Sequence, residues 1–289
     1  AAYHGGSIHK WILPIKKRTL HKASFLTTLN EDEQRSMVAH FPKMADRIKL
    51  VPNFVNSAIF YSKDKEKARA SLGLDPETRY IITVGRLFEH QKGHSLLVEA
   101  MQHLEAIPNL KVLIAGSGPD EQSLRELISQ KGLTDRIILL GSIRDKEMLA
   151  NYYNASELFV LPSRYEGLPL VILEASACGL PTVAFNVMGV RGLVQEGVNG
   201  LLAENLDPVG LAGALQKLLE DEESRTKMGE NAQEIVRLNF SEKITSDKLL
   251  DLIKESVGRE AALRLWPIGD SEGSLIPTIL PLLERQTQG

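Results

Sequence analysis

The sequence contains little cysteine and no long hydrophobic run, and both absences exclude whole classes of protein. Its 289 residues include a single cysteine, Cys178, so an internal disulfide and a multi-cysteine zinc site are excluded. The apolar neighbours of Cys178 indicate an ordinary small core residue, and a reducing, cytoplasmic compartment is the default expectation. No apolar run approaches the roughly 18 residues that a membrane-spanning helix requires, and the first residues show no signal-peptide pattern. The sequence therefore predicts no membrane-spanning segment.

Neither sign of charge dominates the chain. Lysine and arginine number 34 against 37 aspartate and glutamate, and the net charge of −3 provides no general attraction to nucleic acid. A hydrophobic content of 43% can build the core of one large or two medium domains. A basic stretch around Trp11 could touch the anionic inner face of a membrane peripherally or a lipid-linked acceptor, although a solvated helix face explains it more simply. The cations of this stretch are Lys10, Lys16, Lys17, Arg18 and Lys22.

Short apolar runs alternate with segments of helical length from Tyr80 onward. The runs predict strands at Tyr80–Val84, Leu110–Ala115, Ile137–Leu140, Leu158–Leu161 and Thr182–Phe185. The segments between them predict helices at His94–Glu105, Asp120–Lys131, Lys146–Tyr153 and Leu170–Cys178. This alternation predicts an α/β fold with a doubly wound parallel sheet. Ligands of such sheets bind at the carboxyl ends of the strands.

The flanking regions do not follow this alternation. Residues 1–55 contain one strand-like piece, Ile48–Asn53, and too little alternation for a second sheet. Residues 207–255 predict consecutive helices, with Asp207 as the N-cap of the first. We therefore expect a partial N-terminal domain at 1–55, the main domain at 56–240, and a last helix with a loop-rich tail at 241–289.

Two carboxylates stand eight positions apart in the segment Ser163–Ala175. Pro169 suits the first helical position, which places Glu166 in a loop and Glu174 inside an apolar helix with no solvated face. A carboxylate in that setting needs hydrogen-bond donors or a cation, and the hydroxyls of a ligand could serve. The alternative is that Glu166 is a surface loop residue and that Glu174 forms a purely structural ion pair. The backbone amides of Gly167 and Leu168 would lie at the positive end of the helix, which favours an anion.

Cations and glycines follow the other predicted strands. Arg86 follows the first strand and Lys92 precedes the next helix, so together they could neutralise a diphosphate, although solvated loop charges are the simpler interpretation of each alone. The glycine-rich piece that begins at Gly116 lacks the third glycine of a dinucleotide fingerprint, which argues against a hydride-transfer enzyme. His90 and His94 flank Lys92, but no third ligand completes a site, so no metal is predicted.

The combination of these motifs is more specific than any of its parts. In chain order the motifs are Gly85-Arg86-Leu87, Gln91-Lys92-Gly93, Gly116-Ser117-Gly118-Pro119, Leu140-Gly141, Pro162 to Gly167, Glu174 and Gly197 to Leu202. Over roughly residues 20–255 they resemble the nucleotide-sugar half of the retaining glycosyltransferases of family 4. The resemblance implies a GT-B fold, in which two Rossmann-like domains enclose the active site, and it implies no catalytic metal and no cofactor besides the nucleotide diphosphate sugar.

The resemblance also implies roles for individual residues. Arg86 and Lys92 would grip the phosphates of the donor, and Glu166 would meet its sugar, which makes these three the catalytic candidates. Glu174 would hold the nucleotide ribose. The loop after Gly141 would face the base. The full set of implied donor-binding residues is Gly85, Gly116, Gly118, Gly141, Ser142, Gly167, Leu168 and Glu174.

The expected reaction is transfer of a sugar from a nucleotide diphosphate donor to an acceptor hydroxyl, with retention of configuration. The expected partners are the nucleotide sugar and a glycan or lipid-linked acceptor. Because residues 1–55 resemble only the end of the acceptor-side domain, we expect an incomplete N-terminal domain, with self-association as a consequence. A nucleotide-sugar-binding fragment or subunit without transferase activity is the alternative, and a GT-B epimerase or phosphorylase is a third.

Overall fold

The computed structural model describes residues 23–257. Two short parallel strands, β1 (Leu26–Thr28) and β2 (Ile48–Leu50), flank a helix α1 (Glu31–His40) and a 3-10 helix at Pro42–Arg47. Phe41, Met44 and Ile48 form a small apolar cluster of their own beside these strands. The strand-like piece predicted near residue 48 is therefore present. It pairs with β1 in a two-stranded sheet, so the expectation of no second sheet was wrong.

Within the described residues, the main sheet has six strands, all paired in parallel, in the order β5-β4-β3-β6-β7-β8. These strands are β3 (Arg79–Val84), β4 (Leu110–Ala115), β5 (Ile137–Gly141), β6 (Leu158–Leu161), β7 (Thr182–Phe185) and β8 (Gly200–Ala203). Every residue of β6 and β7 is buried, as expected for central strands that are covered by helices on both faces. The predicted doubly wound parallel sheet is confirmed.

Helices connect the strands and cover the sheet. They are α2 (Lys65–Ser71), α3 (Glu89–Lys92), α4 (His94–Gln102), α5 (Glu121–Gln130), α6 (Lys146–Ala155), α7 (Leu170–Ala177), α8 (Pro208–Glu220) and α9 (Glu222–Asn239). A further helix, α10 (Glu242–Val257), follows α9 in the chain. The side chain of Asp207 accepts a hydrogen bond from the Val209 amide and caps α8, as predicted. Gly93, with φ of +60°, ends α3 and precedes α4, which explains why His90 and His94 do not share a helix face.

Two expectations about α7 were wrong. Pro169 is the N-cap of α7 and has an extended backbone, so it stands one position before the first helical residue. The helix also has an accessible side, because Leu170 is 42% exposed and Val171 and Glu174 are only partly buried. The accessible side of α7 could not be recognised from its apolar sequence, because the apolar residues on that side line a cavity instead of a packed core.

Some elements were missed because their sequences carry weak signals. Strand β8 is four residues long and begins with Gly200, and it forms an edge of the sheet by pairing with β7 alone. Helix α3 has only four residues. Short elements of this kind depend on tertiary contacts more than on local preference.

The chain divides into two compact units after Thr245. The described part of the second unit is the portion of α10 from Ser246 to Val257. Among the helices of the described residues, none is long and apolar enough to cross a bilayer. The predicted boundaries at 55/56 and 240/241 stay predictions.

The strand order places a topological switch beside β3. The chain runs from β3 outward to β4 and β5, and then returns to place β6 on the other side of β3. The loops after β3 and β6 therefore leave the sheet in opposite directions and open a crevice at the carboxyl ends of the strands. Arg86 and Glu166 lie on these two loops.

Candidate functional site

A cavity of about 450 Å³ opens at the carboxyl ends of β3, β4 and β5. Five of the residues singled out in the sequence line it together, namely Gly85, Arg86, Gly116, Ser142 and Glu174. Its other lining residues are Val84, Ala115, Ser117, Ile143, Lys146, Leu149, Leu170 and Val171. Apolar walls with a few polar groups are the usual composition of a site for a small organic ligand.

Glu174 projects from α7 into this cavity with a side chain that is 12% exposed. Its Oε1 lies 3.2 Å from Lys146 Nζ, and its Oε2 accepts a 3.1 Å hydrogen bond from the Tyr153 hydroxyl. Burial and the neighbouring carboxylate raise the pKa of Tyr153 well above its usual value, so the phenol stays a neutral donor. A carboxylate has about four acceptor positions, so two partners leave capacity for ligand hydroxyls.

Lys92 and Glu166 form an ion pair next to the cavity. Lys92 Nζ lies 2.6 Å from Glu166 Oε1, and the two side chains are only 16% and 6% exposed. A Cβ atom added to Gly85 would lie 3.5 Å from Lys92 Cδ, so the lysine stem runs past Gly85 at the cavity wall. The sequence interpretation assigned the two residues to different parts of a ligand. The structure pairs them, across 74 positions of sequence.

Arg86 lies at the cavity wall without a carboxylate partner in the described part of the chain. The Arg86 side chain is on an exposed residue, and its guanidinium carbon lies 5.8 Å from the centre of the Phe88 ring. Lys92 is neutralised by Glu166, whereas the Arg86 charge is balanced by no acidic side chain among residues 23–257. This guanidinium is therefore the strongest attraction that the cavity offers to an anion.

Gly116 and Gly118 allow two loops to come into direct contact. A Cβ atom on Gly116 would lie 1.8 Å from the Gly85 carbonyl oxygen, and one on Gly118 would lie 2.1 Å from the Leu87 carbonyl oxygen. Any larger residue would push these loops apart. Gly116 lines the cavity directly, whereas Gly118 supports its wall, and a donor-binding role for both stays a prediction.

The loop that contains Gly167 and Leu168 precedes α7 beside the cavity. In the described chain, no hydrogen-bond acceptor is found for the backbone amide of either residue. Gly141 lies at the opposite side of the site, where its carbonyl accepts a 2.8 Å hydrogen bond from the Gly116 amide. Four of the predicted site residues are neighbours of the cavity and not part of its lining, namely Lys92, Glu166, Gly167 and Leu168.

Sequence reasoning missed the two partners of Glu174. Lys146 and Tyr153 lie seven positions apart on α6, a spacing that places them on one face of a helix. That spacing was visible in the sequence. The sequence did not show which helix this face would contact, because only the order of the strands brings α6 and α7 together.

Comparisons with known proteins identify the family. A family model described as glycosyl transferases group 1 matches residues 64–235. The chain belongs to this family. It is 34% identical over 255 residues to the D-inositol 3-phosphate glycosyltransferase of Corynebacterium efficiens, an alignment that covers 85% of this chain and 59% of that protein. The chain thus spans less than two thirds of the length of this relative.

Solved structures share the fold. Sucrose-phosphate synthase from Thermosynechococcus elongatus superposes with a TM-score of 0.76 at 30% identity, over 88% of this chain and 64% of that one. HepE from Anabaena, solved in complex with UDP-glucose, superposes with a TM-score of 0.76 at 23% identity, over 86% of this chain and 68% of that one. The expected family is confirmed at the level of group 1 glycosyltransferases with a GT-B-like fold.

Proposed function

We propose that this chain binds a nucleotide diphosphate sugar in the cavity at the carboxyl ends of β3 to β5, and that it supports transfer of the sugar to an acceptor hydroxyl with retention of configuration. The observation that carries the proposal is the convergence of Glu174 and Arg86 on one cavity, with the Lys92–Glu166 pair at its edge. The HepE complex with UDP-glucose supports a nucleotide sugar as the ligand class.

The proposed roles follow from the charges. Departure of a nucleoside diphosphate concentrates negative charge on the leaving oxygens, and preorganised positive groups lower the free energy of that state. Arg86, Lys92 and the free amides before α7 would supply these groups without a metal ion. Glu166 would orient the donor sugar while it restrains Lys92. Glu174, held by Lys146 and Tyr153, would accept hydrogen bonds from the ribose hydroxyls.

Calorimetry with UDP, GDP and ADP in the presence of EDTA tests donor binding and its independence of metal. UDP is the first choice because of the HepE complex. Binding of at least one of these nucleotides at micromolar to low millimolar concentration supports the proposal. If none of the three binds, the donor site is rejected. Release of labelled sugar from the matching nucleotide sugar, with and without candidate acceptor alcohols, separates transferase activity from binding alone.

Replacing Arg86 with alanine should weaken nucleoside diphosphate binding by about 1.5–3 kcal/mol, the usual contribution of a charge-assisted hydrogen bond. Lys92→Ala should also weaken diphosphate binding, because it leaves the buried Glu166 carboxylate without its cation beside the phosphates. Binding of the corresponding nucleoside monophosphate should weaken less, because this ligand presents fewer phosphate oxygens to the two cations. Arg237→Ala, which removes an exposed arginine on α9, is the matched control and should leave both affinities unchanged. Equal losses for diphosphate and monophosphate would contradict the phosphate assignment.

Replacing Glu174 with glutamine should preserve the fold and weaken nucleotide binding about tenfold, since the ribose loses a charged acceptor while the side-chain shape is kept. The Tyr153 hydroxyl can still donate to the amide oxygen of glutamine. The 2′,3′-dideoxy nucleotide should bind wild type and variant with equal affinity. A lower melting temperature together with unchanged affinity would instead support a purely structural ion pair with Lys146.

A further inference from the structure

Asn30 joins the N-terminal segment to the loop before α7. Its side-chain Oδ1 accepts a 2.8 Å hydrogen bond from the Glu33 amide and caps α1. Its Nδ2 donates a 2.8 Å hydrogen bond to the Gly167 carbonyl, 137 positions further along the chain. One partner is an N–H group and the other a carbonyl, so the two bonds together determine which way the amide faces. The Asn30 side chain therefore caps α1 and at the same time binds the backbone of the loop before α7.

The hydrogen bond to the Gly167 carbonyl restrains a whole peptide unit. The Gly167 carbonyl and the Leu168 amide belong to the same peptide, and all described peptides are trans. In a planar trans peptide the C=O and N–H groups point in opposite directions. A donor that holds the carbonyl on one side thus orients the Leu168 N–H toward the other side. It also polarises that N–H, since hydrogen bonds in series strengthen one another.

The same peptide is restrained from a second direction. A Cβ atom on Gly189 would lie 2.1 Å from the Gly167 carbonyl oxygen and 2.6 Å from the Glu166 carbonyl oxygen. The loop around Gly189 therefore packs directly on the backbone of Glu166 and Gly167, with Gly189 at a φ of +84°. Asn30 and Gly189 together leave this peptide little freedom to rotate, while no acceptor for the Leu168 amide is found among the described residues.

We propose that Asn30 is a positioning residue for the donor diphosphate. It presents the Leu168 amide to a phosphate oxygen and thereby couples the N-terminal segment to the donor site. This inference rests on the proposed function. It adds a residue that lies outside residues 64–235, the part matched by the family model.

The test compares three forms of the full chain by their affinity for UDP and for uridine, which lacks phosphates. Asn30→Ser keeps a good N-cap but has no amide, and its hydroxyl is one bond short of the Nδ2 position. We expect its dissociation constant for UDP to rise about 5- to 20-fold, the scale of one lost hydrogen bond to an anion site. Its affinity for uridine, measured by ligand-observed NMR titration, should stay within about twofold of wild type.

Glu33→Ala is the matched control. It removes the 2.8 Å hydrogen bond from the Leu29 amide to Glu33 Oε2 and loosens the start of α1, but it leaves the Asn30–Gly167 contact in place. We expect UDP affinity in this variant to match wild type. Three outcomes would overturn the proposal: UDP binding unchanged in Asn30→Ser, equal losses for UDP and uridine, or an equal loss in Glu33→Ala. If wild type binds none of UDP, GDP and ADP, the donor site itself is rejected and this inference is rejected with it.

Discussion

Replacing Glu157 with glutamine should lower the free energy of unfolding by about 3 kcal/mol, the largest stability effect that we expect from a single charge among residues 23–257. Glu157 directly precedes β6 and is 11% exposed. Its Oε1 lies 3.3 Å from Arg69 Nη2, and its Oε2 lies 3.0 Å from Arg225 Nη2. The same carboxylate lies 3.7 Å from Lys65 Nζ. One carboxylate thus ties α2 and α9 to the start of β6.

The size of the expected effect follows from the cations that would remain. Arg69 and Arg225 are only 10% and 11% exposed, so neither can turn to water when the carboxylate is removed. The pKa of Lys65 shows the same effect of closely spaced cations. Burial is the main cause that lowers this pKa, and repulsion from Arg69 and Arg225 lowers it further. An uncompensated buried charge costs about 3–5 kcal/mol in comparable cases.

Urea denaturation at pH 7 measures the change. Glu234→Gln is the matched control, because it removes a carboxylate 2.6 Å from Arg237 on the exposed face of α9. Exposed ion pairs contribute little, so this control should unfold at nearly the wild-type urea concentration. A Glu157→Gln variant as stable as the control would mean that backbone acceptors, such as the Ala155 carbonyl beside Arg69, suffice for the cations.

Acidification should lower the free energy of unfolding because His94 is buried. The complete loss amounts to about 3 kcal/mol. His94 is 3% exposed at the start of α4. Burial lowers its pKa from 6.5 to about 4, and the positive charge of Lys92 adds to this while Glu89 opposes it. The folded chain therefore binds the proton less tightly than the unfolded chain. The contribution is fully present above pH 6.5, falls as the pH decreases from 6.5 to about 4, and is absent below that.

His94→Leu isolates this contribution. Urea denaturation of wild type and variant at pH 7.5 and pH 4.5 gives two differences in stability. The wild type should lose more than the variant between these two pH values, by about 2–3 kcal/mol, because leucine has no proton to bind. Carboxylates that titrate in the same range change both proteins alike and cancel in the comparison. Equal losses would show that His94 titrates in the folded state near its ordinary pKa.

Much of the fold was predictable because its signals are local. The strands of the main sheet from β3 to β7 were predicted within one residue at either end, since each is a short apolar run bounded by glycine, proline or polar residues. Asp207 was predicted as a cap because its side chain bonds to an amide two positions away. The motif residues at the strand ends were identifiable as a set, because parallel strands bring their carboxyl ends to one edge.

The side of α7 that faces the cavity was not predictable. Glu174 looked buried on every side because its neighbours in sequence are apolar, and whether those neighbours meet a packed core or an open cavity depends on the strand order. The same is true of Pro169, whose position relative to the helix depends on how the preceding loop leaves β6. Sequence periodicity describes one helix at a time, and it carries no information on what lies opposite.

The sequence by itself determined the type of each main element, the sheet class and the residue types available at the strand ends, because interactions over a few positions decide these properties. The tertiary structure alone decided the pairings: Lys92 with Glu166 across 74 positions, Lys146 with Glu174 across 28, and Asn30 with Gly167 across 137. Pairing of this kind requires the backbones to be placed to within about an ångström, and that precision comes from the packed core between the elements. The chemistry of the site therefore resides in local motifs, and its geometry in contacts that no local motif encodes.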